Sequence, residues 1–189
     1  MAIEAIFTNF PRIETERLIL RQIQANDADA LFALFSDGDV MEFSGGKVPH
    51  RSVEETRAFI RQLQGWYERH EGIEWGITRK GDDTVIGTCG FYSFDERFHR
   101  AETGYELHPA YWRQGIMSEA LRAIVTFAFT TIGLHRIEAV VDEGNDRSIG
   151  ILRKFGFTYE GTLRQRVFFR DRFWNEHHFG LLKDEWKEV

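Results

Sequence analysis

The chain has 189 residues, 42% of them hydrophobic, 17 Phe, and a formal net charge of −6. That length suits one domain, 1–189, with a real core, and that apolar content excludes intrinsic disorder. The acidic balance argues against nucleic acid as the main partner, because phosphate binding needs a basic footprint. Cys89 is the lone cysteine, which excludes an internal disulfide framework and fits a cytoplasmic protein. The first residues lack the basic start and apolar stretch of a secretory signal. No window reaches the roughly 18 apolar residues of a membrane span, so no membrane partner is expected.

Residues 16–22 read as a strand, with Leu18 and Leu20 alternating against Arg17, Ile19 and Arg21. Asn26 or Asp27 then caps a helix whose apolar face is Ala28, Leu31, Leu34 and Phe35. Ser52-Val53-Glu54-Glu55 is a capping box opening a helix with Phe59, Ile60, Leu63 and Trp66 at helical spacing. Residues 74–78 and 84–94 are strands about the turn at 80–83. A strand over 101–108 ends at Pro109, and a helix follows over 115–132. Residues 136–142 form a strand. Asn145 opens a helix carrying Ile149, Leu152 and Phe155, which stops at Gly156. Residues 163–169 and 174–182 close the chain as a hairpin. This order fits an α/β fold with a mixed, mostly antiparallel sheet covered by helices, not a purely parallel one.

Several chemistries lose their support at once. The dinucleotide, P-loop and nucleophile-elbow glycine patterns are all absent. His177 and His178 are adjacent on a strand and point to opposite faces, and no Cys or His cluster has zinc spacing, so no metal is expected. What remains is the junction from Glu102 to Ser118. Pro109 removes a backbone donor and can splay the strand from its neighbour. The helix start at Gly115 has no Ser, Asp or Asn to cap it, and offers unpaired N–H groups and the positive end of a dipole. An extended ligand with an amide arm and a pyrophosphate would suit both features, with Gly115 allowing close approach. An ordinary strand-to-helix turn capped by water accounts for the same spacing.

The stretch Trp112-Arg113-Gln114-Gly115-Ile116-Met117 resembles the acyl-CoA-binding motif of the GNAT superfamily of N-acetyltransferases, Arg/Gln-x-x-Gly-x-Gly/Ala. "TERLILR" (15–21), "ETGYELHPAYWRQGIMSEAL" (102–121), "GLHRIEAVVDEGNDRSIGILRKFGFTYEGTLRQ" (133–165) and "FGLLKDEW" (179–186) are similar to its RimJ/RimL branch, which acetylates protein N-termini. The likeness runs over nearly the whole chain. It implies a GNAT fold, with the sheet splayed at the cofactor-binding strand and helices on both faces. It also implies acetyl-CoA as co-substrate, a homodimer, and transfer to a protein or peptide N-terminal α-amine. A small-molecule amine (an antibiotic, an amino acid or a polyamine) is the alternative acceptor. A non-catalytic acyl-CoA-binding protein is the alternative from another class.

Carried over by position, main-chain N–H groups of Arg113, Gln114, Gly115, Ile116, Met117 and Ser118 cradle the pyrophosphate. Leu107 pairs its backbone with the pantetheine arm and polarises the thioester. Asn145 contacts that arm or orders the loop, its simpler role being a helix cap. Ser148 protonates the leaving thiolate, its simpler role being packing. Trp112 and Met117 depart from the motif, which main-chain contacts tolerate. Leu152 replaces the superfamily's Tyr, so no Tyr general acid is expected, and Val167 stands where some relatives hold a Glu base. Glu102 and Glu106 are the base candidates. They share one face of a strand, with Gly104 between them, and an ion-paired or solvated role is open to both.

Arg164, Arg166, Arg170 and Arg172 read as a solvated edge that discourages aggregation, or as a contact for an acidic group. Phe168, Phe169, Phe173 and Trp174 read as core and pocket wall. Acceptor specificity is expected in the loops 36–52 and 92–101.

Overall fold

The computed structural model describes residues 3–43 and 45–187. A short α1 (Ile3–Ile6) leads into β1 (Ile13–Glu14) and β2 (Leu18–Gln22). Then come α2 (Ala28–Phe35), α3 (Val53–Glu68), β3 (Gly72–Arg79), β4 (Asp82–Asp95) and β5 (Arg100–Leu107). The chain continues through α4 (Ile116–Phe127), β6 (Arg136–Asp142), α5 (Asp146–Lys154), β7 (Thr158–Phe169) and β8 (Arg172–Leu182). The strands form one sheet in the order β1-β2-β3-β4-β5-β6-β8-β7, antiparallel throughout except for the parallel pair β5–β6.

The sheet separates two apolar clusters. On one side α2 and α3 bury Leu31, Leu34, Ile60 and Leu63 with Ile23 and Val85. On the other, α4 and α5 bury Leu121, Ile124 and Leu152 with Trp75, Phe91, Ile137 and Phe179. The alternation read in β2 is the cause of its burial there, since Leu18 and Leu20 are both wholly inaccessible. The mixed α/β sheet with helices on both faces is therefore as expected.

Some local expectations are corrected. Asp27 stands at the cap position of α2, but its side chain makes no cap hydrogen bond to that helix. Its buried carboxylate bonds the Gln24 N–H (2.7 Å) and pairs with Arg21 (2.8 Å), because a buried charge gains more from a fixed cation than from a frayed helix end. Ser52 does accept the Glu55 N–H, but Glu55 reaches back to the Arg51 N–H (2.7 Å), one residue earlier than a capping box requires. The helix from Ile116 ends as an α-helix at Phe127 and continues as a π-turn over Ala128–Ile132. β1 is a two-residue strand, too short to show a period.

The splay is the feature that positions the site. β5 and β6 pair only over Arg100–Glu102 with Arg136–Glu138. Beyond that point β5 stays with β4 to Leu107, and β6 stays with β8 to Asp142. Glu138 pins the closed end by accepting from Arg100 Nη1 (3.2 and 3.0 Å) and Arg136 Nε (2.8 Å), while Arg136 also bridges to Glu160. The gap thus opens at Thr103, and Pro109 is not its origin; that proline sits two residues past the end of the strand, at the start of a 3-10 turn. His108 N–H donates to Ile86 O (2.9 Å). In an antiparallel ladder this commits the even-numbered residues of β5 to β4, so the main-chain groups of Thr103, Tyr105 and Leu107 face the gap.

Candidate active site

On the α4 side of the gap lies a cleft of about 640 Å³. Its walls include Leu107, Arg113, Gly115, Ile116, Met117, Ser118, Asn145 and Ser148. The strand-to-helix loop takes its shape from two left-handed residues, Arg113 (φ 59°) and Gly115 (φ 75°). Gly115 is the helix cap residue and offers no side chain to the helix start. The first intrahelical bond, Glu119 N–H to Gly115 O (3.0 Å), leaves the N–H groups of Ile116, Met117 and Ser118 without an intrahelical acceptor. The side chains of Ile116 and Met117 are buried, so these residues can offer the cleft backbone alone.

The loop is braced from beneath. Arg17 donates from Nη1 to Gln114 O (3.0 Å) and from Nε to Glu119 (2.6 Å), and Thr15 bonds the same carboxylate (2.5 Å). Gln114 is the one expected cofactor residue that does not line the cleft; its amide turns back to Ala110 O (2.7 Å). Trp112 donates its indole N–H to Leu107 O (2.7 Å), which leaves the Leu107 N–H as that residue's group facing the gap. An uncapped helix start beside main-chain groups spaced along a strand edge fits the pyrophosphate and amide arm of acetyl-CoA.

On the α3 side lies a second cleft, of about 710 Å³. Its walls come from the helices (Phe35, Phe59, Trp66), from the 43–47 loop, and from the sheet (Glu74, Thr88, Tyr92, Glu102, Glu106, Glu176). The two clefts share Phe43, Tyr105, Glu106, Asn145 and Ser148, so they meet through the splay at those residues.

At the meeting point Tyr105 Oη lies 2.8 Å from Ser148 Oγ. Ser148 is held in place by its own N–H, which donates to Asn145 Oδ1 (3.1 Å). Asn145 is therefore a helix cap as well as a wall of both clefts. Burial pushes the Tyr105 hydroxyl up to about 12, so it stays protonated and able to donate. Glu106 accepts from Thr88 Oγ1 (3.0 Å) and from Lys47 Nζ (3.2 Å). Its attraction is the main reason that the Lys47 ammonium, on a side chain 61% exposed, is held above its ordinary range.

Glu102 projects from the same strand face, as its parity requires, and accepts from Tyr92 Oη (3.2 Å). Burial holds its carboxyl above the ordinary range, with the Tyr92 bond opposing. Glu102 lines the second cleft alone, whereas Glu106 lines both. Their Cα atoms lie about 13 Å apart along the strand.

Tyr105, Lys47, Glu74 and Thr88 were not singled out in the sequence. Tyr105 carried a signal, because it shares parity with Leu107 and so flanks the same gap. Glu74 carried another, as the one carboxylate in the apolar strand Gly72–Arg79. Burial and the nearby charge of Glu106 raise its carboxyl above the ordinary range. Its space exists because Gly90 faces it across the ladder; a Cβ there would collide with Glu74 Oε2 and Ile73 O. Lys47 carried no signal beyond lying in the variable loop.

The arginine hairpin is peripheral. Arg164, Arg166 and Arg170 are exposed, and the Arg172 guanidinium lies 3.3 Å over the Trp174 ring. Its aromatics divide. Phe169 stacks on Trp174 near Phe43, while Phe168 and Phe173 are each 60% exposed.

With this geometry in hand, comparisons with known proteins are specific. A family model described as "Acetyltransferase (GNAT) domain" matches residues 17–158. The "uncharacterized N-acetyltransferase YoaA" of Bacillus subtilis is 42% identical over 159 residues, 84% of this chain and 89% of that protein. A solved structure from Vibrio cholerae, provisionally named a ribosomal-protein-serine acetyltransferase, is 26% identical with a TM-score of 0.80. That alignment covers 92% of this chain and 98% of the other. The spermidine N(1)-acetyltransferase of Escherichia coli is 24% identical over 156 residues, 82% of this chain and 81% of that protein.

Proposed function

The chain belongs to the GNAT acetyltransferase family, and on that premise we propose that it moves the acetyl group of acetyl-CoA directly onto a primary amine held beside Glu106. The observation that carries this reading is the meeting of the two clefts at Tyr105, Glu106 and Ser148. A thioester reaching through the splay from the α4 side would face an amine entering from the α3 side. Backbone N–H groups of Arg113 and Gly115–Ser118 would hold the pyrophosphate, and the Leu107 N–H would polarise the thioester carbonyl.

The amine nitrogen forms the new N–C bond as the C–S bond breaks. Glu106, directly or through one water, takes the amine's proton. The Ser148 hydroxyl, backed by Tyr105, donates to the departing sulfur. Glu106 is preferred to Glu102 as the base because it lines both clefts, whereas Glu102 lines the α3-side cleft only and would face a more distant part of the acceptor.

The leading acceptor is a protein or peptide N-terminal α-amine. Its ordinary pKa of about 7.7–8.0 demands little of a base, and the name of the Vibrio cholerae relative points the same way. A specific observation favours a second reading, a small polycationic amine: Glu74, Glu102, Glu106 and Glu176 line one cavity together with aromatic rings. The spermidine acetyltransferase likeness supports that acceptor.

CoA release, measured with acetyl-CoA against N-terminal peptides and against polyamines, decides between them. A kcat/KM advantage for peptides carries the first reading and one for polyamines the second. CoA binding with no turnover of any amine would leave an acyl-CoA-binding protein and end both.

A further inference from the structure

Lys47 places a primary amine of the protein itself in the acceptor cleft. Its Nζ is 3.2 Å from Glu106 Oε1, and Glu106 is the carboxylate shared with the α4-side cleft. The segment that carries it is tied down on both sides. Gly45 N–H donates to the buried Asp142 carboxylate (2.8 Å), and His50 N–H donates to Phe35 O (3.0 Å). Gly46 lies beside the Phe169 ring, which a Cβ there would touch at 3.7 Å. Glu102 adds to the attraction that Glu106 exerts on the ammonium. The side chain thus occupies the position in which the preceding section places an external amine.

We infer that Lys47 is an internal acceptor, acetylated by its own enzyme from acetyl-CoA when no external amine fills the cleft. This rests on the acetyltransferase reading above. The reaction balances as the intermolecular one does. The Nζ–C bond forms and the C–S bond breaks, the ammonium proton leaves through Glu106 to solvent, and the thiolate gains a proton from the Tyr105–Ser148 pair or water. Acetyl-CoA and the lysine ammonium give an acetamide, CoA thiol and one proton. The product side chain carries no positive charge and is larger, so it withdraws the cation beside Glu106 and fills the mouth of the cleft. The modified enzyme would then turn over external amines more slowly.

Lys80, Lys154, Lys183 and Lys187 serve as internal controls, since they line neither cleft. The full chain is incubated with acetyl-CoA and no amine, and acetylation is followed by peptide mass mapping. Because Lys47 is held in the site, it should be modified about tenfold or more faster than those four. Its rate constant should not change on dilution of the protein, and the same chain heat-unfolded should lose the preference. Lys47→Arg should abolish the fast phase and Lys154→Arg should keep it.

Uniform labelling of all the lysines would overturn the inference, as would a rate that falls in proportion to protein concentration. An amine panel run in parallel separates the two claims. Panel turnover with Lys47 unmodified ends this inference and leaves the acetyltransferase reading standing; no turnover of either ends both.

Discussion

On the α4 side of the sheet the groups proposed to hold acetyl-CoA are chiefly backbone, the N–H groups of Leu107, Arg113 and Gly115–Ser118. On the α3 side the polar groups that line the cleft are chiefly side chains, among them Lys47, Glu74, Tyr92, Glu102 and Glu106. The difference governs what each cleft tolerates. A main-chain wall keeps its donors whatever residue supplies them, which is why Trp112 and Met117 can depart from the family motif without removing a hydrogen bond from the cleft. Trp112 even adds one, to Leu107 O. A side-chain wall changes its charge and shape with every substitution. One cleft is therefore suited to a constant ligand, and the other to an acceptor that differs between relatives.

The comparison breaks most readily at Glu106. Glu106→Gln should lower kcat about 100-fold, the usual size of a lost general base, and leave the acetyl-CoA Kd within about twofold. A large rise in that Kd instead would mean that the two clefts are not separable. Next in size is Tyr105→Phe, which removes the hydroxyl beside Ser148 and should cost about tenfold in kcat, one hydrogen bond's worth, without moving either KM. Gly115→Ala should act on the other cleft. Ala at that positive φ costs about 1–2 kcal/mol, and relaxing the loop misaims the helix-start N–H groups. Acetyl-CoA Kd should rise about tenfold by calorimetry while the acceptor KM stays put. An equal loss in both would erase the distinction between the clefts.

The same contrast explains what could be read from the chain alone. The α4-side cleft comes from one continuous stretch, Leu107 to Ser118, together with Asn145 and Ser148 on the next helix. The uncapped Gly115 and the motif resemblance around it drew attention to that stretch, whereas Pro109 did not mark the splay, which opens at Thr103. The sheet was readable for a similar reason, because Leu18, Leu20 and the 136–142 alternation are local. The α3-side cleft draws on β3, β4, β5, β8 and the loop before α3, and only the pairing register brings Glu74, Thr88 and Lys47 to Glu106. No spacing records that. Tyr105 shows the limit most plainly. The superfamily's tyrosine position on the helix after Asn145 holds Leu152, whereas the hydroxyl beside Ser148 arrives from β5.

The last contrast is in pH dependence, and it turns on Glu74. Unfolded, this carboxyl titrates at its ordinary value of 4.5; folded, burial and the charge of Glu106 make it hold its proton to higher pH. Between those limits the folded chain binds the additional proton, so its stability falls as pH rises through the window. Glu74→Gln removes that linkage. The Tm of the variant relative to the parent should therefore increase from about pH 5 to about pH 8.5, by about 2–4 °C for each kcal/mol recovered. Gly115→Ala sits in a cleft with no such group, and its Tm deficit should be the same at both pH values. If the Glu74→Gln difference were also flat, Glu74 would be ionised in the folded chain, paired with Lys47, and the acceptor cleft would carry no proton-linked strain.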